Sequence, residues 1–118
     1  MKRDYRVYID DIVEAVKKIE KYSKAKTWNT FQKDEMAIDA IVRNFEVIGE
    51  ATKRVPESIR RKYPDIPWKT MSGMRDKLIH EYFGVNTQTL WKTVKEDLPG
   101  VRSRIEALSR DLEREARG

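Results

Sequence analysis

Cysteine is absent from this 118-residue chain, and histidine occurs once, at position 80. The first absence removes disulfide frameworks and thiolate metal sites. Together the two leave too few ligands for a structural zinc centre in a single chain. Glycine and proline are scarce as well, at five and four residues, so the chain lacks the punctuation that many short strands need. No apolar run approaches membrane-spanning length, and no signal-peptide core is visible. Glycine-rich phosphate loops, nucleophile elbows and metal-ligand runs are also missing. The resulting expectation is a cytoplasmic protein with no cofactor, no metal and no membrane contact.

Hydrophobic residues make up 39% of the chain and charged residues 38%, a mix too apolar for a disordered tail and suited to helices with solvated outer faces. A chain of this length is expected to form one domain, residues 1–118, with a real core.

Apolar spacing then predicts the elements. Tyr5, Ile9, Ile12, Val16 and Ile19 recur at steps of four and three, which predicts a helix over about 3–25. Residues Thr27 to Thr30, around Trp28, read as turn and cap. A second long helix is expected over roughly 31–54, with Ala37, Ile41, Phe45 and Ile48 on one stripe and Val47 and Ala51 starting another. A helix apolar on two sides is either central in its bundle or shared with a partner chain. Pro56 opens a short helix to about Lys62, and Pro67 opens another that ends near Gly84. Asn86 and Thr87 cap the next, which carries Leu90, Trp91 and Val94. Pro99 is expected to reset the direction before a last helix bearing Leu98, Val101, Ile105, Leu108 and Leu112. The architecture is all-α: an up-and-down bundle of four to five main helices plus short ones.

The net charge of +5 is unevenly spread. Residues 1–52 hold ten basic and ten acidic side chains, and residues 78–118 seven of each. The surplus falls in 53–77, where eight cations, among them Arg60, Arg61, Lys69, Arg75 and Lys77, face three carboxylates. Such a segment is the footprint expected of a polyanion site, although a solvated basic loop would read the same on charge alone.

That segment runs into Arg75-Asp76-Lys77-Leu78-Ile79-His80-Glu81-Tyr82, a fixed cation, the lone imidazole and a phenol within eight residues. Unperturbed, His80 is the one side chain that titrates near neutral pH, and a nearby helix C-terminus would favour its protonated form. On an ideal helix Arg75 and Tyr82 share a face, about 20° apart, whereas Arg75 and His80 lie about 140° apart. Either the helix distorts near His80 or a second copy of the motif completes the site. The second option suits metal-free RNA cleavage, which needs a base for the 2′-hydroxyl, an acid for the leaving oxygen and a cation for the phosphorane. Two chains about a two-fold axis would supply two histidines and two arginines. The same residues also admit structural roles: His80 as a polar cap, Arg75 paired with Glu81 or Asp76, Tyr82 as core or interface. Glu46 and Glu50, one turn apart, could hold magnesium, but an Glu50–Arg54 pair is the favoured reading. Trp28, Trp68 and Trp91 could stack on bases, though core packing suits their neighbours better.

Ile48-Gly49-Glu50-Ala51, Tyr63 to Trp68, Met74-Arg75-Asp76, His80-Glu81-Tyr82 and Leu90 to Pro99 together resemble the HepT-like toxins of the HEPN (higher eukaryotes and prokaryotes nucleotide-binding) superfamily. The resemblance covers most of the chain in order. It implies an α-helical homodimer whose arginine-x4-histidine motifs meet in a metal-independent endoribonuclease site, with Arg75 and His80 catalytic. It implies a partner, an MNT-type minimal nucleotidyltransferase antitoxin, which can transfer AMP to the motif tyrosine, here Tyr82. Negative adenylyl groups beside the site would repel RNA. The position after the arginine is often asparagine in the family and is Asp76 here, read as a supporting residue that orients Arg75 or His80. Lys77, Arg60 and Arg61 are expected to help hold RNA. The rival expectation is a non-catalytic dimeric adaptor for a nucleotidyltransferase or for nucleotides.

Overall fold

The computed structural model describes the backbone of residues 4–82 and 86–117, without the side chains of Arg75 and residues 77–82. Among the described residues every regular element is helical. Helix α1 spans Tyr5–Ser23, α2 Trp28–Phe31, α3 Glu35–Arg54, α4 Glu57–Lys62, α5 Trp68–Tyr82 and α6 Thr87–Lys92; a π turn over Thr93–Asp97 then leads into α7, Leu98–Arg117. No helix among the described residues is long and apolar enough to cross a membrane.

Caps set the boundaries. The Asp4 carboxylate accepts from the Arg6 N–H and starts α1. Thr27 and Thr30 form a reciprocal capping box, which turns the expected loop around Trp28 into the one-turn helix α2. Helix α3 begins at Glu35, later than its apolar pattern implied, because Asp34 is its cap: the carboxylate accepts from Ala37 N–H at 3.0 Å. Lys26 also reaches Asp34, at 2.5 Å. The Lys26 ammonium first, and the Ala37 amide second, hold this carboxyl below its ordinary range.

A depressed carboxylate contributes stability that is present above its unfolded-state pKa, ~3.9, and is lost as pH falls through the lower folded value. Asp34→Asn keeps a capping oxygen but cannot titrate. Its melting temperature should therefore fall at about pH 6 and differ less from wild type at about pH 2.5. Thermal denaturation followed by circular dichroism at the two pH values checks this; an equal deficit at both would refute the assignment.

Packing runs in the order α5, α3, α1, α7: α3 packs against α1 on one side and α5 on the other, and α1 packs against α7. The central placement of α3 accounts for most of its two apolar faces within the chain, while Val47 stays half-buried at the edge of a cleft. Ile41, Phe45 and Ile48 are fully buried there, and Ala51 and Thr52 face inward as well, Thr52 Oγ1 donating to the Ile48 carbonyl at 2.6 Å. Of the predicted α1 stripe, Ile9, Ile12, Val16 and Ile19 are buried and Tyr5 is half-buried at the helix start; the α7 stripe (Leu98, Val101, Ile105, Leu108, Leu112) is wholly buried.

One expectation is overturned at Pro99. The chain does not reset its direction; helix continues from Thr87 to Arg117. Proline lacks the N–H for a bond four residues back, and its ring would crowd the carbonyl there. The helix widens by one residue just before it: Leu98 N–H bonds the Thr93 carbonyl, five back, and Pro99 enters the first turn of α7. The resulting rod of 31 residues is about 46 Å long, which accounts for the 48 Å long dimension of the molecule. The expected helix end near Gly84 lies outside the described residues.

Candidate ribonucleic-acid site on the α4–α5 corner

The motif helix α5 is anchored at its start. Trp68 is buried, and its indole N–H donates to the carbonyls of Tyr63 at 3.0 Å and Arg60 at 3.2 Å, tying the end of α4 to the first turn of α5. Met71 and Met74 bury the next turns against α3. Core packing is therefore the role of Trp68, as expected.

Continuity of α5 decides the register of the motif. The α-helix runs without a break from Trp68 through Tyr82, so no distortion separates positions 75 and 80. At 100° per residue they stand about 140° apart on the helix. Position 80 lies in line with Lys69, about 20° away, and with Asp76, about 40° away. Position 75 lies instead about 20° from Trp68 and about 20° from position 82. The motif thus divides between two helix faces, with position 80 on the face of Lys69 and Asp76, and Ser72 lying between the two faces, about 60° from position 75 and about 80° from position 80.

A cleft of about 370 Å³ lies between α4 and the start of α5, lined by Glu57, Arg60, Arg61, Trp68, Lys69 and Ser72, residues that span the sector between the two faces. Two of the expected RNA-holding residues meet here. Arg61 is exposed and pairs with Glu57 at 2.8 Å. Arg60 has a buried Nε with no partner among the described residues. Lys69, counted in the basic surplus but not expected to hold RNA, joins them because the Trp68 indole ties the start of α5 to the end of α4. The side chains of Lys77, Arg75, His80 and Tyr82 lie outside the described residues.

Asp76 is exposed and stands 3.5 Å from Lys53, at the end of α3. Its described partner is this lysine. The pair partly cancels the charge that would oppose a phosphate on this face. The basic segment 53–77 is less uncompensated than its composition implied, since Lys62 pairs with Glu115 of α7 at 3.2 Å. Exposed pairs of this kind contribute ~0–1 kcal/mol.

Glu46, considered for magnesium, pairs with Arg43 at 3.5 Å. Glu50 and Arg54 line one cleft of about 290 Å³ with Asp11 and Arg43. Among the described residues no group of three His, Cys, Asp or Glu is placed to hold a metal ion. Trp28 and Trp91 are half-buried and pack with Phe31, whose ring centroid lies 4.7 Å from that of Trp91. This aromatic cluster joins α2 to α6.

Comparison with known proteins gives a consistent result. The family described as "Ribonuclease HepT-like" matches residues 12–108, a span that includes the cleft and the motif. A protein of Thermococcus cleftensis named "Probable ribonuclease HepT" is 45% identical over 108 residues, covering 92% of this chain and 98% of the relative. Two proteins of Methanocaldococcus jannaschii, both named provisionally as RNases, are 43% and 42% identical over 112 residues. Those alignments cover 95% of this chain and 93% and 97% of the relatives. No solved structure matches the chain significantly.

Proposed function

We infer from a chain that belongs to the HepT-like ribonuclease family an endoribonuclease of the HEPN type, acting on RNA at a site that two protomers build together. The observation that carries the composite site is the unbroken helix through positions 75 and 80. One α5 presents the two positions on different faces, so a single scissile phosphate meets both groups only if a second α5 faces the first.

In this reading His80 of one protomer takes the proton of the 2′-hydroxyl. The freed oxygen attacks phosphorus, and the bond to the 5′-oxygen breaks as the protonated His80 of the other protomer supplies that oxygen with a proton. The products are a 2′,3′-cyclic phosphate and a 5′-hydroxyl end. Arg75 stabilises the charge that gathers on the phosphorane oxygens. Arg60, Arg61, Lys69 and Lys77 hold the strand along the α4–α5 corner. Asp76, paired with Lys53, orients the motif without adding a full negative charge, which weakens the case for a non-catalytic adaptor.

The chain further acts as the toxin of a toxin–antitoxin pair. The antitoxin is a minimal nucleotidyltransferase that moves AMP from ATP to the Tyr82 hydroxyl, with pyrophosphate leaving. Position 82 shares a helix face with position 75, so the added phosphate would stand beside the arginine meant for RNA and occupy it.

One experiment tests both parts. Cleavage of a labelled RNA is followed in excess chelator, before and after incubation with ATP and a family nucleotidyltransferase, for wild type and Tyr82→Phe. Cleavage should persist in chelator, fall at least tenfold on AMP transfer in wild type, and stay unchanged in Tyr82→Phe. Loss of cleavage in chelator would sink the metal-independent reading; equal loss in Tyr82→Phe would place the modification elsewhere.

A further inference from the structure

A further cavity lies away from the α4–α5 corner. It is an open groove of about 660 Å³ between the second half of α1 and the π turn, and no residue of α4 or α5 lines it. One wall is a stripe of Lys17, Lys21 and Lys24. Steps of four and three keep these three within about 60° of one another around α1 and spread them over about 10 Å. All three are exposed, and none has a carboxylate at ion-pair distance among the described residues. Lys95, on the π turn, and Arg102, on α7, complete the opposite wall.

The charges in this groove are poorly answered. Glu20 is the one carboxylate lining it, and Arg102 already engages it at 3.1 Å while also binding Glu106 at 3.2 Å. The Lys95 ammonium rests over the Trp91 ring, 4.5 Å from its centroid, so its described partner is a neutral π face. Like charges one helical turn apart repel, and a groove lined by one sign concentrates the potential. Val94 and Pro99 give the floor an apolar portion. The groove owes its shape to the π turn, which carries Val94 and Lys95 and is imposed by Pro99.

We propose that this α1–π-turn groove is a second RNA-backbone site, which holds the phosphates of single-stranded substrate remote from the motif helix. The proposal rests on RNA being the substrate. Exposed lysines neutralise phosphates without reading bases, so the site adds reach and affinity and no sequence preference. An acidic face of a protein partner would be attracted by the same charge, but the spread of the stripe and the apolar floor suit a strand with phosphates and bases along it.

The test uses the full chain and a non-cleavable probe, a 2′-O-methyl RNA of about twenty nucleotides, titrated by fluorescence anisotropy across a salt series. The variant Lys17→Gln/Lys21→Gln/Lys24→Gln removes the stripe. A control, Lys18→Gln/Lys33→Gln/Arg110→Gln, removes three exposed cations outside the groove. The groove variant should bind roughly tenfold or more weakly at ~0.1 M salt, with a slope of log K against log salt lower in magnitude by about 2, from ~0.7 per lost phosphate contact. Its cleavage of a dinucleotide, too short to reach the groove, should equal that of wild type, and the control should retain wild-type affinity within about threefold. Unchanged binding in the groove variant, or equal weakening in the control, overturns the proposal. So does unchanged RNA binding with lost capture of the nucleotidyltransferase, which would make the groove a protein interface. Absence of cleavage in wild type would count against the ribonuclease reading alone, because the binding arm does not depend on it.

Discussion

Replacing His80 by alanine should lower RNA cleavage by roughly 10²–10⁴-fold, the usual share of a general acid–base group, and Arg75→Ala by about 10²–10³-fold, the share of a charge-stabilising donor. The two variants should keep wild-type helicity and size, which circular dichroism and size-exclusion chromatography check. Hybrid dimers carrying His80→Ala in one protomer give the sharper result. If the two imidazoles divide the acid and base roles, a hybrid retaining one should cut almost as poorly as the double variant. Wild-type dimers should show a bell-shaped pH profile, since one imidazole must be neutral while the other is charged. Half of wild-type activity in the hybrid would mean that each histidine serves a separate site. Unchanged cleavage in both single variants would end the assignment of the motif as catalytic.

The largest structural effect should come from Phe45→Ala. Phe45 is fully buried at the middle of α3, the helix that packs against both α1 and α5. Removing its ring from a close-packed interior costs about 3–5 kcal/mol, a large share of the ~5–15 kcal/mol that keeps a typical domain folded. Thermal unfolding should shift down on the order of 10–20 °C for a domain of this size. Because α3 is the support of α5, cleavage should fall at temperatures below the unfolding midpoint as well. A shift under a few degrees would mean that the α1–α3–α5 layer relaxes around the void.

Much of the fold was legible because burial on helices is periodic. The stripes of α1 and α7 needed nothing but steps of three and four, and those residues are buried apart from Tyr5, which is half-buried at the start of α1. The two-faced pattern of α3 was visible too, but composition could not distinguish a central helix from one awaiting a partner; the packing of α3 between α1 and α5 resolves it. Boundaries were missed where a side chain competes with the helix for backbone amides. Asp34 delayed α3, and the Thr27–Thr30 box created α2. Pro99 was misread because an isolated proline normally ends a helix, whereas here one π turn absorbs it.

The functional surfaces divide in the same way. The motif on α5 and its 140° separation follow from sequence spacing and a regular helix alone. The charge around it does not. Counted along the chain, residues 1–52 cancel; counted by face, the stripe of Lys17, Lys21 and Lys24 stands nearly alone because Glu20 is drawn to Arg102 across the helix interface. The step of four and three among those lysines was the available signal, and a charge balance summed over a linear segment erased it. The opposite error occurred in 53–77, where Glu115, distant in sequence, reaches Lys62.

By itself the sequence determined the helical class, the apolar faces, the motif and the membership of a ribonuclease family, because each depends on near neighbours along the chain or on direct comparison of residues. Only the tertiary structure decided which helix is central, that Lys53 answers Asp76, that Arg60 and Lys69 share a cleft, and that a basic groove lies between α1 and the π turn. These depend on which helix faces meet. Coulomb interactions and packing act through space, and the folded chain brings together charges that lie up to 82 residues apart in sequence.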